Sequence, residues 1–253
     1  MRAALVVKRV TGDLDANLAA IAAAAQTAAD CGAELVLLPE AAVTGFCITG
    51  DPDHDLPLGQ AIPGPATVQL AEVARRHDLY IATGLLESAD EALYDSAVLL
   101  SPDGATALHY RRMQSKWHPK DADPRVYRQG ETLPVADTRL GRFVIVICGD
   151  LFDDQVVARV PAVQPDWLLV PMARCFGDET QDQGSWNKEG MPLYLEQIRR
   201  AACAALVVNQ LADDALGGGF GGAFAASAKG EAIASLPLGC EGILLVELSD
   251  SLR

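Results

Sequence analysis

The segment Glu34-Leu-Val-Leu-Leu-Pro39 carries no alternation of polar and apolar residues, and it sets the first limit on the fold. A continuous apolar strand of this kind is buried on both faces. Ahead of it, residues 3–7 read as a short apolar strand, and residues 14–31 as a long alanine-rich helix with apolar residues at helical spacing. Asp13 stands where an N-cap belongs and Gly32 where a C-cap belongs. Strand, helix and strand therefore follow one another at the start of the chain.

The alternation continues to the end. Helices are expected over 66–77, 155–163 and 194–204, and strands over 80–84, 95–101, 106–112, 142–148, 167–171 and 205–209. Pro102-Asp-Gly104 has turn chemistry and folds 106–112 back as a hairpin partner. Residues 223–227, 233–235 and 242–248 read as a closing antiparallel set. The cluster Gly217-Gly-Gly-Phe-Gly-Gly222 reads as a mobile loop. It lacks the lysine pattern of a phosphate-binding loop, and no helix follows it. No linker or repeat divides the chain, so residues 1–253 are expected to form one mixed α/β sandwich domain.

Composition narrows the partners. The net charge of −14 argues against a nucleic-acid backbone or an anionic membrane surface as partner. It reads first as a device for solubility. The six cysteines include no CxxC pair and are widely scattered, which argues against a zinc ribbon, a thioredoxin motif or a disulfide framework. No run of 18 apolar residues occurs, and the opening residues lack a signal-peptide pattern, so the expected location is cytoplasmic.

Three predicted strand ends carry chemistry. Leu35-Val-Leu-Leu-Pro-Glu40 ends in a carboxylate, Leu108-His-Tyr-Arg-Arg112 in paired cations with Lys116 close behind, and Phe143-Val-Ile-Val-Ile-Cys148 in a thiol. Ligand sites of α/β sheets gather beyond the carboxyl ends of strands. A thiol needs activation at neutral pH, a carboxylate can take its proton, and a fixed cation can stabilise an oxyanion. Each residue has a plain structural alternative: Cys148 as a small core residue, Glu40 as a solvated strand end, and Arg112 and Lys116 as surface cations. The functional reading rests on the three occurring together.

In order and spacing these pieces resemble the nitrilase superfamily of carbon–nitrogen hydrolases along essentially the whole chain. Leu37-Leu-Pro-Glu40 with Thr44-Gly-Phe46 resembles the catalytic-glutamate segment, and Tyr94-Asp-Ser-Ala97 the segment usually written YNSA. Tyr110-Arg-Arg112 resembles the lysine strand, and Gly141-Arg-Phe-Val-Ile-Val-Ile-Cys148-Gly-Asp150 the nucleophile strand and elbow. Asp166-Trp-Leu-Leu-Val-Pro171 and Arg199-Arg-Ala-Ala202 resemble two later signatures. The resemblance implies a four-layer αββα sandwich, a Glu–Lys–Cys triad, no metal or organic cofactor, and a homodimer joined across the helices near the nucleophile. It assigns Glu40 as general base and Cys148 as nucleophile.

Two positions depart from the family pattern. Arginine stands at 112 where the family has lysine; it keeps the charge but does not readily pass a proton. Lys116 is the ammonium four residues on, so both remain candidates for the cationic role. Asp123 stands where many members carry a second glutamate, seven residues before Gly130. Gly149 is a candidate oxyanion donor through its backbone N–H. Arg174 and Phe176 are expected to line the pocket, Arg174 as a partner for a substrate carboxylate. The expected activity is hydrolysis of a small linear amide through a cysteine thioester. The alternatives are a degenerate member that binds an amide or carboxylate without turnover, and a thiol redox protein using Cys148 and Cys175.

Overall fold

The computed structural model describes residues 1–175, 182–212 and 218–249. Twelve described strands form two six-stranded sheets. The first holds β1 (Arg2–Val7), β2 (Leu35–Leu37), β3 (Tyr80–Ala89), β4 (Ala92–Leu100), β5 (Thr106–Arg111) and β12 (Gly242–Glu247), in the order β12-β1-β2-β3-β4-β5. The second holds β6 (Ala136–Thr138), β7 (Gly141–Ile145), β8 (Trp167–Met172), β9 (Ala205–Asn209), β10 (Gly221–Ala226) and β11 (Ala232–Leu238), ordered β11-β10-β9-β8-β7-β6. The chain thus completes most of one sheet, builds the other, and returns with β12 to pair antiparallel with β1.

Burial of central strands on both faces explains the layering. In β1, Ala3, Leu5 and Val7 face the second sheet, where they meet Phe143, Trp167 and Leu206. Ala4 and Val6 face the opposite way, into a core shared with helices α1 (Leu14–Asp30) and α2 (Pro65–His77). The outer face of the second sheet packs Val144, Leu168 and Val207 against Tyr194 and Ile198 of α3 (Met191–Ala201). Three apolar layers between four structural layers give the αββα sandwich. Among the described residues, no helix is long and apolar enough to cross a membrane.

Local chemistry sets the element ends. Asp13 accepts from the Ala16 N–H and caps α1, and Gly32 follows its end at φ +75°. β3 and β4 are longer than expected and join through Asp90-Glu91, both left-handed, as a two-residue hairpin turn requires. The three-residue β6 was not anticipated. The helix expected over 155–163 is confined to Asp154–Val157, because Pro161 has no N–H to continue its ladder. The strand expected to reach Cys148 ends as a strand at Ile145, and α3 begins earlier, at Met191. Of the glycine cluster, Gly221 and Gly222 belong to β10, while Gly217 lies outside the described residues.

Candidate active site

The end of β2, the end of β5 and the elbow after β7 meet at one rim of the sandwich. Gly84 of β3 makes this approach possible, since a methyl there would stand 2.6 Å from the Ala41 nitrogen and 2.7 Å from Glu40 Cα. Glu40 is 1 % exposed. Its Oε1 accepts from Arg112 Nη1 at 2.9 Å, and its Oε2 accepts from the Ala173 backbone N–H at 2.5 Å. Two fixed donors therefore aim the carboxylate.

Cys148 opens the elbow at φ +46°, a conformation that costs a non-glycine residue about 1–3 kcal/mol and recurs at functional sites. Asp150 holds the elbow. Its Oδ2 accepts from the Tyr110 hydroxyl at 2.6 Å and the Ile147 N–H at 3.1 Å. Its Oδ1 accepts from the Met113 and Gln114 N–H groups at 3.2 and 2.8 Å. One buried carboxylate thus ties the thiol-bearing turn to the segment that carries Arg112. Burial and the adjacent Glu40 charge push the Cys148 thiol well above its ordinary range, against the opposing pull of Arg112.

Arg112 is 5 % exposed and also donates through Nη1 to Asp95 Oδ2 at 3.1 Å, while Nη2 donates to Gln114 Oε1 at 2.9 Å. A methyl on Gly149 would lie 2.4 Å from Arg112 Nη2, so that glycine lets the elbow and the guanidinium come together. Burial and Glu40 push Asp95 well above the usual carboxylate range.

Of the residues singled out from sequence, Glu40, Arg112, Lys116, Cys148, Gly149 and Arg174 line one cleft of about 550 Å³. Lys116 is exposed at its mouth and touches Gln114 through its backbone alone, whereas Arg112 holds the position beside Glu40. Asp123 is not among the lining residues. Its carboxylate takes a forked contact from Arg125, which holds it at about pH 2, in a turn where Val126 and Tyr127 donate to its carbonyl. Phe176 lies outside the described residues. A second cleft of similar volume beside Tyr94, His109 and Arg111 lacks the cysteine, and its Arg111 is engaged by Glu87.

Several contributors were missed. Asp95 and Asp150 interrupt or follow apolar strands, and a charge there is a signal of a partnered buried site. Asn209 ends β9 and grips Arg174 from both sides, accepting from its N–H at 2.7 Å and donating to its carbonyl at 3.0 Å. The Ala173 N–H is a backbone group that no residue identity reveals. Among the described residues, no cluster of His, Cys, Asp and Glu is arranged to hold a metal ion.

Comparison with known proteins shows the family of the chain. The family model for carbon–nitrogen hydrolases matches residues 2–253. An omega-amidase of Mus musculus is 27 % identical over 210 residues, covering 79 % of this chain and 69 % of its own length. The chloroplastic omega-amidase of Arabidopsis thaliana is 29 % identical over 205 residues, covering 76 % of this chain and 51 % of its own. Nitrilase 1 of the same plant is 29 % identical over 144 residues, or 48 % and 39 % of the two chains. The chain thus spans from two fifths to about half the length of these plant relatives.

Among solved structures, a carbon–nitrogen hydrolase from Helicobacter pylori superposes with a TM-score of 0.85 at 19 % identity, covering 99 % of this chain and 90 % of its own. An amidase from Nesterenkonia sp. superposes with a TM-score of 0.81 at 22 % identity, covering 99 % and 90 %. The sandwich of two six-stranded sheets is the fold that the chain shares with these structures. The chain belongs to the carbon–nitrogen hydrolase family within the nitrilase superfamily.

Proposed function

We propose that the protein hydrolyses a small linear amide through a thioester on Cys148. The observation that carries this reading is the Glu40 carboxylate, fixed by Arg112 and the Ala173 N–H in the same cleft as the Cys148 thiol. Glu40 takes the thiol proton as sulfur attacks the amide carbonyl. The oxyanion that forms is stabilised by the Arg112 charge and the Gly149 N–H. As the tetrahedral centre collapses, Glu40 returns the proton to the nitrogen, the carbon–nitrogen bond breaks, and the amine or ammonia leaves. Water then attacks the thioester, again giving its proton to Glu40, and the carboxylic acid departs with the thiol restored.

Arg112 fills the cationic role in this scheme as a charge that never titrates, so all proton movement falls to Glu40. The two omega-amidases match over 76 % and 79 % of this chain and nitrilase 1 over 48 %, which supports an amide rather than a nitrile as the substrate here. We also propose a homodimer across α3. Leu193 is 61 % exposed there, beside the cleft, and would be covered by a second copy.

The test is a panel of small amides and one nitrile, incubated with protein, quenched in acid and weighed as intact chains, with Cys148→Ala alongside. An acyl adduct on the wild type alone supports the reading. Ammonia release that persists in Cys148→Ala would refute it. Absence of both adduct and ammonia across the panel would favour a binding protein without turnover.

A further inference from the structure

Three ionisable side chains meet at one nitrogen of the rim. Arg112 Nη1 donates to Glu40 Oε1 at 2.9 Å and to Asp95 Oδ2 at 3.1 Å, and all three residues are buried. Arg112 carries a single positive charge at any working pH. Two ionised carboxyls would therefore leave one negative charge without a counter-charge away from water. Buried acids in that position take up a proton instead.

The groups around Asp95 leave no other way to balance the charge. Among the described residues, Arg112 is the cation that pairs with Asp95. Asp150 of the elbow is a further buried acid near Arg112, and it is held by the Tyr110 hydroxyl and the N–H groups of Met113, Gln114 and Ile147. Cys148 brings no positive charge. Glu87 of β3 binds Ser96, which points to the opposite face of β4 from Asp95, and there it engages Arg111 and His109.

Hydrogen bonding decides which of the two carboxyls holds the proton. Glu40 accepts at both oxygens, from Arg112 and from the Ala173 N–H. Asp95 accepts at Oδ2 alone, and its buried Oδ1 receives no donor. More donors favour the ionised form, so the charge settles on Glu40 and the proton on Asp95. Burial and the adjacent Glu40 charge push Asp95 the same way.

That placement matters when the thiol attacks. Glu40 becomes neutral as it takes the thiol proton, and Arg112 loses its ionic partner. With Asp95 also neutral, the whole guanidinium charge is left to act on the oxyanion. An ionised Asp95 would offset it through the same Nη1.

We propose that Asp95 is held as a neutral carboxylic acid, and that its proton keeps the Arg112 charge available to the oxyanion once Glu40 has accepted the thiol proton. Asp95 acts through Arg112 and is a positioning residue. Its part in turnover rests on the amidase reading, whereas its protonation does not.

The protein is isotope-labelled at aspartate Cγ and titrated by carbon-detected NMR, upward from about pH 5. One aspartate resonance is expected in the acid form at neutral pH. It should vanish in Asp95→Asn and titrate at least about one pH unit lower in Glu40→Gln, where the competing charge is gone. The Glu40→Gln shift identifies it even if Asp95→Asn does not fold. No acid-form resonance with this behaviour at neutral pH would overturn the proposal, whatever the activity. The kcat for an amide is then followed across the pH at which that resonance titrates. It should fall about tenfold per pH unit there, and Asp95→Asn should lack this fall. A kcat that stays level while Asp95 ionises, or a fall that persists in Asp95→Asn, would overturn the role in turnover. An acid-form Asp95 in a protein that hydrolyses no amide would leave the charge arrangement standing and refute the hydrolase reading.

Discussion

Asp95 Oδ2 lies 3.1 Å from Arg112 Nη1, and the pair is excluded from solvent. The same nitrogen serves Glu40, so one guanidinium faces two carboxylates. The planar fork of Arg112 is thus held between Glu40 and Asp95, and the two contacts tie the roles of positions 95 and 112 together. Arg112→Lys alone loses the planar fork and is expected to lower kcat about 100-fold. Adding Asp95→Asn should recover at least about tenfold of that loss. A cycle of single and double variants measures it; strictly additive effects would show that the two positions are independent.

Glu40→Gln removes the proton acceptor while keeping shape. Turnover is expected to fall about a thousandfold. The thiol should nevertheless ionise more easily, because the negative charge that holds its pKa up has gone. The pH profile of iodoacetamide labelling at Cys148 would then move to lower pH. A profile that stays in place would mean that Glu40 does not govern the thiol.

Gly84→Ala presses a methyl against the backbone of Glu40 and Ala41, neither of which is a flexible side chain able to swing away. A loss of about 1–3 kcal/mol in urea unfolding is expected, together with reduced kcat as Glu40 is displaced. Normal stability and activity would show that the strand end has slack.

Glu87 is buried under Arg111, His109 and Ser96, and these contacts outweigh burial to hold its carboxyl at about 2, against an ordinary 4.5. Its contribution to stability is present above pH 4.5 and is lost as pH falls from there through 2. Allowing for solvent at the partly exposed Arg111 and His109, it is worth roughly 2 kcal/mol. Acid unfolding followed by circular dichroism should show this slope in the wild type and lose it in Glu87→Gln.

The layered fold was legible because its strands are buried on both faces and so are written as unbroken apolar runs. The cap at Asp13 and the turn at Gly104 were legible because each is a local rule. The β3–β4 turn was not, since Asp90-Glu91 adopts a left-handed pair without the glycine or asparagine that normally announces one. The rim of Glu40, Arg112 and Cys148 could be read from strand ends. The choice between Arg112 and Lys116 beside Glu40 could not, because it depends on where the chain turns after β5, and Asp150 decides that from 37 residues away by binding the Met113 N–H.

The return of β12 to β1 has a consequence for synthesis. β1 lies between β2 and β12 in the first sheet, yet β12 leaves the ribosome only after the whole second sheet has been made. Until then Arg2 to Val7 is an open strand edge on an otherwise finished half-sandwich, the kind of edge that recruits a strand from another chain. The nascent protein is therefore most exposed to misassembly late, when nearly all of its core has already formed.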